Sequence, residues 1–347
     1  VVPALAVADV LRADGHDVGF CGAGGIEKRL VPREGYDYRS VRVRGFQRRL
    51  GWTTLKTLAS LPLAAVDAWR ILGDTRPDCV IGVGAYASGP VVAEAAVRGI
   101  PSAIVEMDAH LGWTNRILSR LVDRVFLSFP VEGREGHKFV YTGRPLRPGL
   151  MSATREEGLL RFGLDGTKPV VLVFGGSLGS SKINRAAVSA FGRGLQGFSV
   201  IHVAGERDFI QTQEQLAGMG GNPDYRLFSY LDDFPLALAV AHVAVSRAGG
   251  SVAELLALGI PSILVPFPAA TADHQSKNAH AVEEAGAARM IADSNLTVDR
   301  LAREVQEISQ PEVRDRMALA ARALARTDAA TRIAKQVVEL IGARGGA

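Results

Sequence analysis

The chain has 347 residues, of which 47% are apolar, a formal charge of +4 and a pI near 9.2. That is room for two ordinary domains with separate cores. The cationic excess is small and no basic run is interleaved with aromatics, which argues against a nucleic-acid stacking platform and better suits an anionic membrane surface or a phosphorylated substrate.

No stretch is apolar for long enough to span a membrane, and no signal peptide is visible. Cys21 and Cys79 lie far apart beside apolar runs. They read as two buried thiols of a reducing compartment rather than as a disulfide. The opening VVPALAVADVLRADGHDV starts inside a helix pattern at 3–14. A strand and tight turn normally precede such a helix, so both are expected upstream of residue 1. A strand follows at 17–21, then an apolar helix around 54–73 and the strand DCVIGVG at 78–84. Next come a helix at 89–99, a strand at 102–106, a helix at 114–121 and a strand at 124–129. FVYTGRPLRPG, with two prolines, reads as the hinge between domains.

A second set opens with KPVVLVFGGSLGSSKINRAAVSAF, a buried strand, a glycine turn and a helix. Strands are expected at 198–203, near 226–228, at 241–246 and at 262–267, with a helix-like DDFPLALAVA between the second and third. Helical patterns at 275–286, 298–308, 311–325 and 329–342 complete the chain. Two such sets describe an α/β protein of two doubly wound domains facing a cleft, with ligands at the carboxyl ends of the strands.

The glycine turns carry the chemistry. Gly175-Gly176-Ser177-Leu178-Gly179-Ser180-Ser181 joins a strand to a helix, so its amides and Ser177 can approach a phosphate closely. Glycines there also serve simply to pack helix on strand. No Gly-Lys-Ser/Thr follows, which disfavours ATP hydrolysis. Ser246-Arg247-Ala248-Gly249-Gly250-Ser251 repeats the arrangement. Arg247 can neutralise phosphate or make a surface ion pair. Glu254 stands in the first helical turn, where the helix dipole favours a carboxylate and ribose hydroxyls can donate to it. Asp273-His274-Gln275 opens another helix, with Asp273 as its N-cap and the next two side chains able to face a cleft. The segment from Ser246 to Asn278 thus reads as a nucleotide-sugar pocket.

In the first half, Gly82 to Pro90 is a glycine-punctuated turn, and Glu106-Met107-Asp108-Ala109-His110 ends a strand. Its carboxylates and imidazole suit general-base or hydroxyl-binding work, or they cap the helix holding Thr114 and Asn115. No metal-ligand spacing is present. Arg42, Arg44, Arg48, Arg49 and Lys56 surround Leu50, Trp52, Leu55, Leu58, Leu61 and Leu63. Such a segment either rests on an anionic bilayer or packs in a core.

Together these motifs resemble the bacterial MurG family of glycosyltransferase family 28 along nearly the whole chain. The resemblance is carried by GGSLGSSKIN (175–184), SRAGGSVAELLALGIPSILVPFP (246–268), DHQSKN (273–278) and GVGAYASGP (82–90), with weaker support from VEMDAHLGWTN (105–115) and TGRPLR (142–147). It implies a GT-B fold of two Rossmann-like domains: residues 1–147 for acceptor and membrane, 148–328 for the UDP-sugar, and a final helix at 329–347 returning to the first. The implied activity is inverting transfer of N-acetylglucosamine from UDP-N-acetylglucosamine (UDP-GlcNAc) to lipid I, without a cofactor or an obligatory metal, on the cytoplasmic face of the membrane.

By that resemblance Gly176, Ser177, Leu178 and Gly179 hold the diphosphate with Arg147, supported by Arg247, Gly249, Gly250 and Ser251. Leu231, beside Tyr230, meets uracil, Glu254 the ribose, and His274 and Gln275 the N-acetylglucosamine, with Asn278 a further donor-binding residue. Glu106 and Asn115 are the candidate catalytic pair, and Tyr86, Ser88 and Asp108 line the acceptor side. Arg48, Arg49, Trp52, Leu55 and Lys56 meet the anionic membrane surface. The family's usual base, a His in a glycine-rich loop, is expected upstream of residue 1. Departures from the family pattern fall at Met107-Asp108, Leu178 and Arg144. Related transferases with another acceptor, UDP-GlcNAc 2-epimerases and a non-catalytic UDP-sugar-binding subunit are the alternatives.

Overall fold

The computed structural model describes residues 1–43, 52–108, 111–131, 133–146, 149–176, 179–194, 197–270 and 273–345, excluding the side chains of 52–61, 85–87 and 344–345. It divides into two compact units, Val1–Pro148 with Arg326–Ala347, and Gly149–Ala325.

The first unit runs α1 (Val2–Ala13), β1 (Gly19–Gly22), α2 (Glu27–Arg33), β2 (Asp37–Ser40), α3 (Trp52–Thr75), β3 (Val80–Gly82), α4 (Ala85–Val97), β4 (Ser102–Glu106), α5 (Trp113–Leu118), β5 (Arg124–Leu127) and β6 (Phe139–Tyr141). Its strands form a parallel pair, β1-β2, and a parallel four-stranded sheet in the order β3-β4-β5-β6. Three of these elements lie outside the sequence expectation. EKRLVPR (α2) is a short helix with a proline inside it, and DYRS (β2) is mostly exposed and polar, so neither carries a strong period. β6 occupies the start of the stretch that reads as a hinge; its prolines come only after the strand. α4 begins at Ala85, four residues before the expected start, because Pro90 lies inside the helix instead of marking its first turn.

The second unit contains α6 (Arg155–Phe162), β7 (Val170–Phe174), α7 (Ser181–Phe191), β8 (Ser199–Val203), α8 (Phe209–Ala217), β9 (Tyr225–Phe228), α9 (Phe234–Val240), β10 (Val243–Ser246), α10 (Val252–Leu258), β11 (Ser262–Leu264), α11 (His274–Glu284), β12 (Ala288–Met290), a 3-10 turn (Asp293–Asn295), α12 (Val298–Ile308) and α13 (Pro311–Leu324). Its six parallel strands are ordered β12-β11-β10-β7-β8-β9. The chain therefore builds outward from β7 in one direction and then, from β10, in the other. Every residue of β7, β8 and β10 is buried, as a parallel sheet covered on both faces requires. One covering helix is α12, whose Leu301, Val305 and Ile308 recur at helical spacing and join the core of Val171, Val173, Ile183, Val243 and Ile263.

The last helix, α14 (Ala329–Gly345), belongs to the first unit. Its Ile333, Ala334 and Val337 pack with Val7 and Leu11 of α1 and with Ala103, Val105 and Phe126 of the sheet. Cys21 and Cys79 are both unpaired and partly buried, and burial pushes their thiols up to about 11 and about 12. Among the described residues, no helix is long and apolar enough to cross a membrane.

Candidate active site

In the second unit the two glycine turns lie side by side. The first follows β7 and the second follows β10, and these strands are direct neighbours, with Phe174 opposite Ser246. Between them the strand order reverses its direction of growth, the place where doubly wound sheets leave a crevice at their carboxyl ends. The first turn is tight: a Cβ on Gly175 would collide with the backbone of Gly179 and Ser180, and one on Gly179 with the carbonyl of Ala204. Gly179 also has φ +75, which only glycine adopts without strain. Ser180 caps α7, its hydroxyl accepting from Ile183 N at 3.5 Å. Ser177 and Leu178 lie outside the described residues, as does Arg147.

The second turn leads into α10, where Glu254 stands in the first helical turn at 8% exposure. α11 packs against this turn. Gln275 Oε1 accepts from Phe267 N at 2.9 Å, and its Nε2 lies 3.9 Å from the point a Gly249 Cβ would occupy. Asn278 Nδ2 donates to Ala248 O at 3.3 Å, while its buried Oδ1 has no hydrogen-bond partner. Gly249, Gly250, Glu254, Gln275 and Asn278 are thus gathered around one strand end. His274 is the first residue of α11. Asp273 holds the N-cap position with φ 56, but its carboxylate accepts from the Ser276 hydroxyl at 2.6 Å and caps no backbone N–H. The Ser251 side chain likewise makes no cap bond to α10. Tyr230 is exposed and Leu231 buried, just beyond β9 at the sheet edge.

Arg247 occupies a more enclosed place than an exposed surface arginine. Its guanidinium pairs with Asp293 at 2.6 Å and donates to Val265 O and Pro266 O, each at 3.1 Å, and to Ser180 Oγ at 2.8 Å. Burial works against the Asp293 carboxylate, yet hydrogen bonds and charge from Arg247 and Lys182 hold it below its ordinary range. The Asp293–Lys182 pair escapes sequence reading because the two residues lie far apart along the chain: Asp293 falls in no local motif, and the GGSLGSSKIN motif that holds Lys182 does not announce its partner. The same holds for His202, buried between Tyr225 and Asn184 beneath the first turn.

In the first unit, Glu106 ends β4 at 5% exposure. Its Oε1 accepts from Asp108 N at 3.1 Å, and Oε2 from Gly112 N at 3.0 Å and Asn115 Nδ2 at 2.9 Å. Three donors from the following loop and α5 therefore orient one carboxylate. Asn115 is 3% exposed, and its Oδ1 has no hydrogen-bond partner. Gly112 and its N–H are a contact the sequence does not announce. Ser88 lies in the first turns of α4 and donates to Gly84 O. The Tyr86 side chain, residues 109–110, Arg44, Arg48 and Arg49, and the side chains of Trp52, Leu55 and Lys56 lie outside the description. Arg42 is bound by Asp67 of α3 through Nε at 2.9 Å and Nη2 at 2.6 Å. Those bonds hold the Asp67 carboxyl down at about 2. Among the described residues no group of three or more His, Cys, Asp or Glu is arranged to hold a metal ion.

Comparison with known proteins identifies the family and the fold. The glycosyltransferase family 28 N-terminal domain matches residues 1–127 and its C-terminal domain residues 170–337. The UDP-N-acetylglucosamine--N-acetylmuramyl-(pentapeptide) pyrophosphoryl-undecaprenol N-acetylglucosamine transferase of Anaeromyxobacter sp. (strain K) is 40% identical over 356 residues, covering 100% of this chain and 91% of its own. The enzyme of the same name from Halothermothrix orenii is 37% identical, covering 89% of this chain and 86% of its own. Among solved structures, Acinetobacter baumannii MurG superposes with a TM-score of 0.74 at 26% identity, over 97% of this chain and 95% of that one. A UDP-N-acetylglucosamine 2-epimerase shares the fold, with a TM-score of 0.70 at 16% identity over 98% and 94%.

Proposed function

The chain belongs to glycosyltransferase family 28 and, within it, to the MurG transferases, from which we infer that it moves N-acetylglucosamine from UDP-GlcNAc to lipid I, forming lipid II in peptidoglycan synthesis. Its fold is GT-B, with two Rossmann-like domains. The observation that carries the reading is the pair of glycine turns at the reversal point of the second sheet, with Glu254 and Gln275 beside them.

In this reading the donor lies on the second unit. The diphosphate meets the amides of Gly176 and Gly179, joined by Ser177, Leu178 and Arg147, at the start of α7, where helix N–H groups and the dipole favour an anion. Glu254 accepts from the ribose hydroxyls, Leu231 and Tyr230 meet the base, and His274, Gln275 and Asn278 face the sugar. The acceptor hydroxyl attacks the anomeric carbon as the bond to the diphosphate oxygen breaks, inverting the configuration. The hydroxyl proton passes to a base, and UDP leaves with its charge stabilised by donors already in place. Glu106, oriented by Asn115 and two backbone amides, takes the hydrogen bond of an acceptor hydroxyl in the first unit, with Tyr86, Ser88 and Asp108 beside it.

The acceptor is a polyprenyl lipid, so we place the first unit against the anionic cytoplasmic face of the bacterial membrane, serving wall growth, cell shape and division. The exposure of Leu63, Val66 and Trp69 along α3, and of Val97 on α4, supports this. In sequence those residues follow the apolar Trp52 and Leu55, which the cations Arg48, Arg49 and Lys56 flank.

One assay tests the whole proposal. Given UDP-GlcNAc and a lipid I analogue, the protein is expected to release UDP and form the disaccharide-lipid product. UDP release no greater than in an acceptor-free control overturns the reading, and turnover without acceptor points to an epimerase or hydrolase.

A further inference from the structure

One guanidinium reaches the loops that follow four neighbouring strands. Arg247 follows β10. Its Nη2 donates to Ser180 Oγ in the turn after β7, at 2.8 Å. Its Nη1 donates to Val265 O and Pro266 O, just past β11, at 3.1 Å each, and to Asp293 Oδ1, past β12, at 2.6 Å. Asp293 Oδ2 in turn accepts from Lys182 Nζ in the first turn of α7, at 3.3 Å. The side chains of Arg247 and Asp293 are only 12% and 19% exposed, and the Phe267 ring centroid lies 5.4 Å from the guanidinium carbon. Both hydrogens of Nη1 and one of Nη2 are therefore committed to protein oxygens, in directions only a planar guanidinium supplies.

We propose that Arg247, Asp293 and Lys182 are positioning residues for the donor site: they hold the Gly175–Ser180 turn in register with the Ser246–Ser251 turn, so that amides from both converge on one diphosphate. The proposal rests on the donor-site reading above. It differs from simple charge neutralisation, in which Arg247 attracts phosphate and Asp293 opposes it. The two accounts predict opposite signs for one substitution. Removing the Asp293 carboxylate makes the site more cationic, so under charge neutralisation UDP binds more tightly. Under positioning, Arg247 loses its anchor and Lys182 its partner, the turns lose their register and UDP binds more weakly.

The test is calorimetric titration of UDP, with KM and kcat for UDP-GlcNAc, on Asp293→Ala, Asp293→Asn, Arg247→Lys and the double variant Arg247→Lys/Asp293→Ala. Asp293→Ala is expected to weaken UDP binding about tenfold, the scale of one lost charged hydrogen bond, and to raise KM more than it lowers kcat. Asp293→Asn keeps an acceptor for Nη1 and is expected to recover part of the loss. The double variant is expected to lose less than the two single losses combined, because both act through one contact. Equal or tighter UDP binding by Asp293→Ala, or fully additive losses, overturns the proposal. If Asp293→Ala fails to fold by thermal melting, Asp293→Asn decides in its place, with unchanged or tighter binding counting against. Glu254→Ala separates the two levels. If it leaves UDP affinity unchanged, the donor-site reading itself fails. If it weakens UDP while the Asp293 variants do not, only the positioning role fails.

Discussion

At the scale of single residues, two histidines of the second unit contribute to the pH behaviour. His202 is wholly buried in β8, with Nδ1 2.7 Å from the Tyr225 hydroxyl and Nε2 3.0 Å from Asn184 Oδ1. An amide oxygen only accepts, so Nε2 carries the proton and Nδ1 accepts from tyrosine. Burial drives the imidazole down to about 3. His242 is pushed the same way, to about 4, by burial and then by Arg155 and Arg314. Unfolded histidine titrates near about 6.5, so between that pH and the folded values the unfolded chain binds more protons. The stability from neutral histidines is therefore complete above about pH 6.5 and declines as pH falls towards 3. Urea unfolding at pH 7 and pH 5 is expected to show this decline, and His202→Leu to make it shallower. The same variant is expected to cost about 2–4 kcal/mol at pH 7, since it strands two buried partners. An unchanged acid slope would assign the decline to other groups.

At the scale of elements, close helix packing and helix propensity pull one substitution in opposite directions. Gly158 of α6 lies against α9, and a Cβ there would stand 2.6 Å from Leu236 O and 2.5 Å from Val240 Cγ1. Gly73, near the end of α3, has nothing within 4 Å of its would-be Cβ. Alanine gains up to about 1 kcal/mol over glycine in a helix interior, whereas a forced overlap with backbone costs about 1–3 kcal/mol. Thermal unfolding is therefore expected to rank Gly73→Ala above the parent protein and Gly158→Ala below it. Glycine at each site looks alike in the sequence; only the facing helix distinguishes them. The same limit applies to α2, β2 and β6, which are too short or too polar to announce themselves by period. Longer patterns such as α12 were legible to the residue, from Val298 to Ile308, because three apolar side chains at helical spacing identify both the helix and its buried face.

At the scale of the whole molecule, chain order and spatial order part company at α14. The helix comes after the second unit yet supplies Ile333, Ala334 and Val337 to the core of the first. Ending the chain after Ala325 is expected to strip these side chains from α1 and the first sheet. Hydrogen exchange should then rise across β4 and β5, with no matching rise in β7 and β10. Protection unchanged in β4 and β5 would mean that the first unit does not depend on its returning helix.

The sequence by itself determined the alternation of strands and helices, the two glycine turns and the ordered motifs that identify the family, because each is a local pattern of period, turn chemistry and spacing. Glu254, Gln275 and Asn278 could be picked out for the same reason. Tertiary structure alone decided which strand ends are neighbours and what each charge faces. β7 and β10 lie far apart along the chain but adjacent in the sheet, so their two turns stand side by side. Asp293 comes to Arg247 only because β12 lies at the far edge of that same half-sheet, and Asn115 reaches Glu106 only when the loop between them folds back. Charge pairing depends on distance in space, and a single sequence records distance only along the chain.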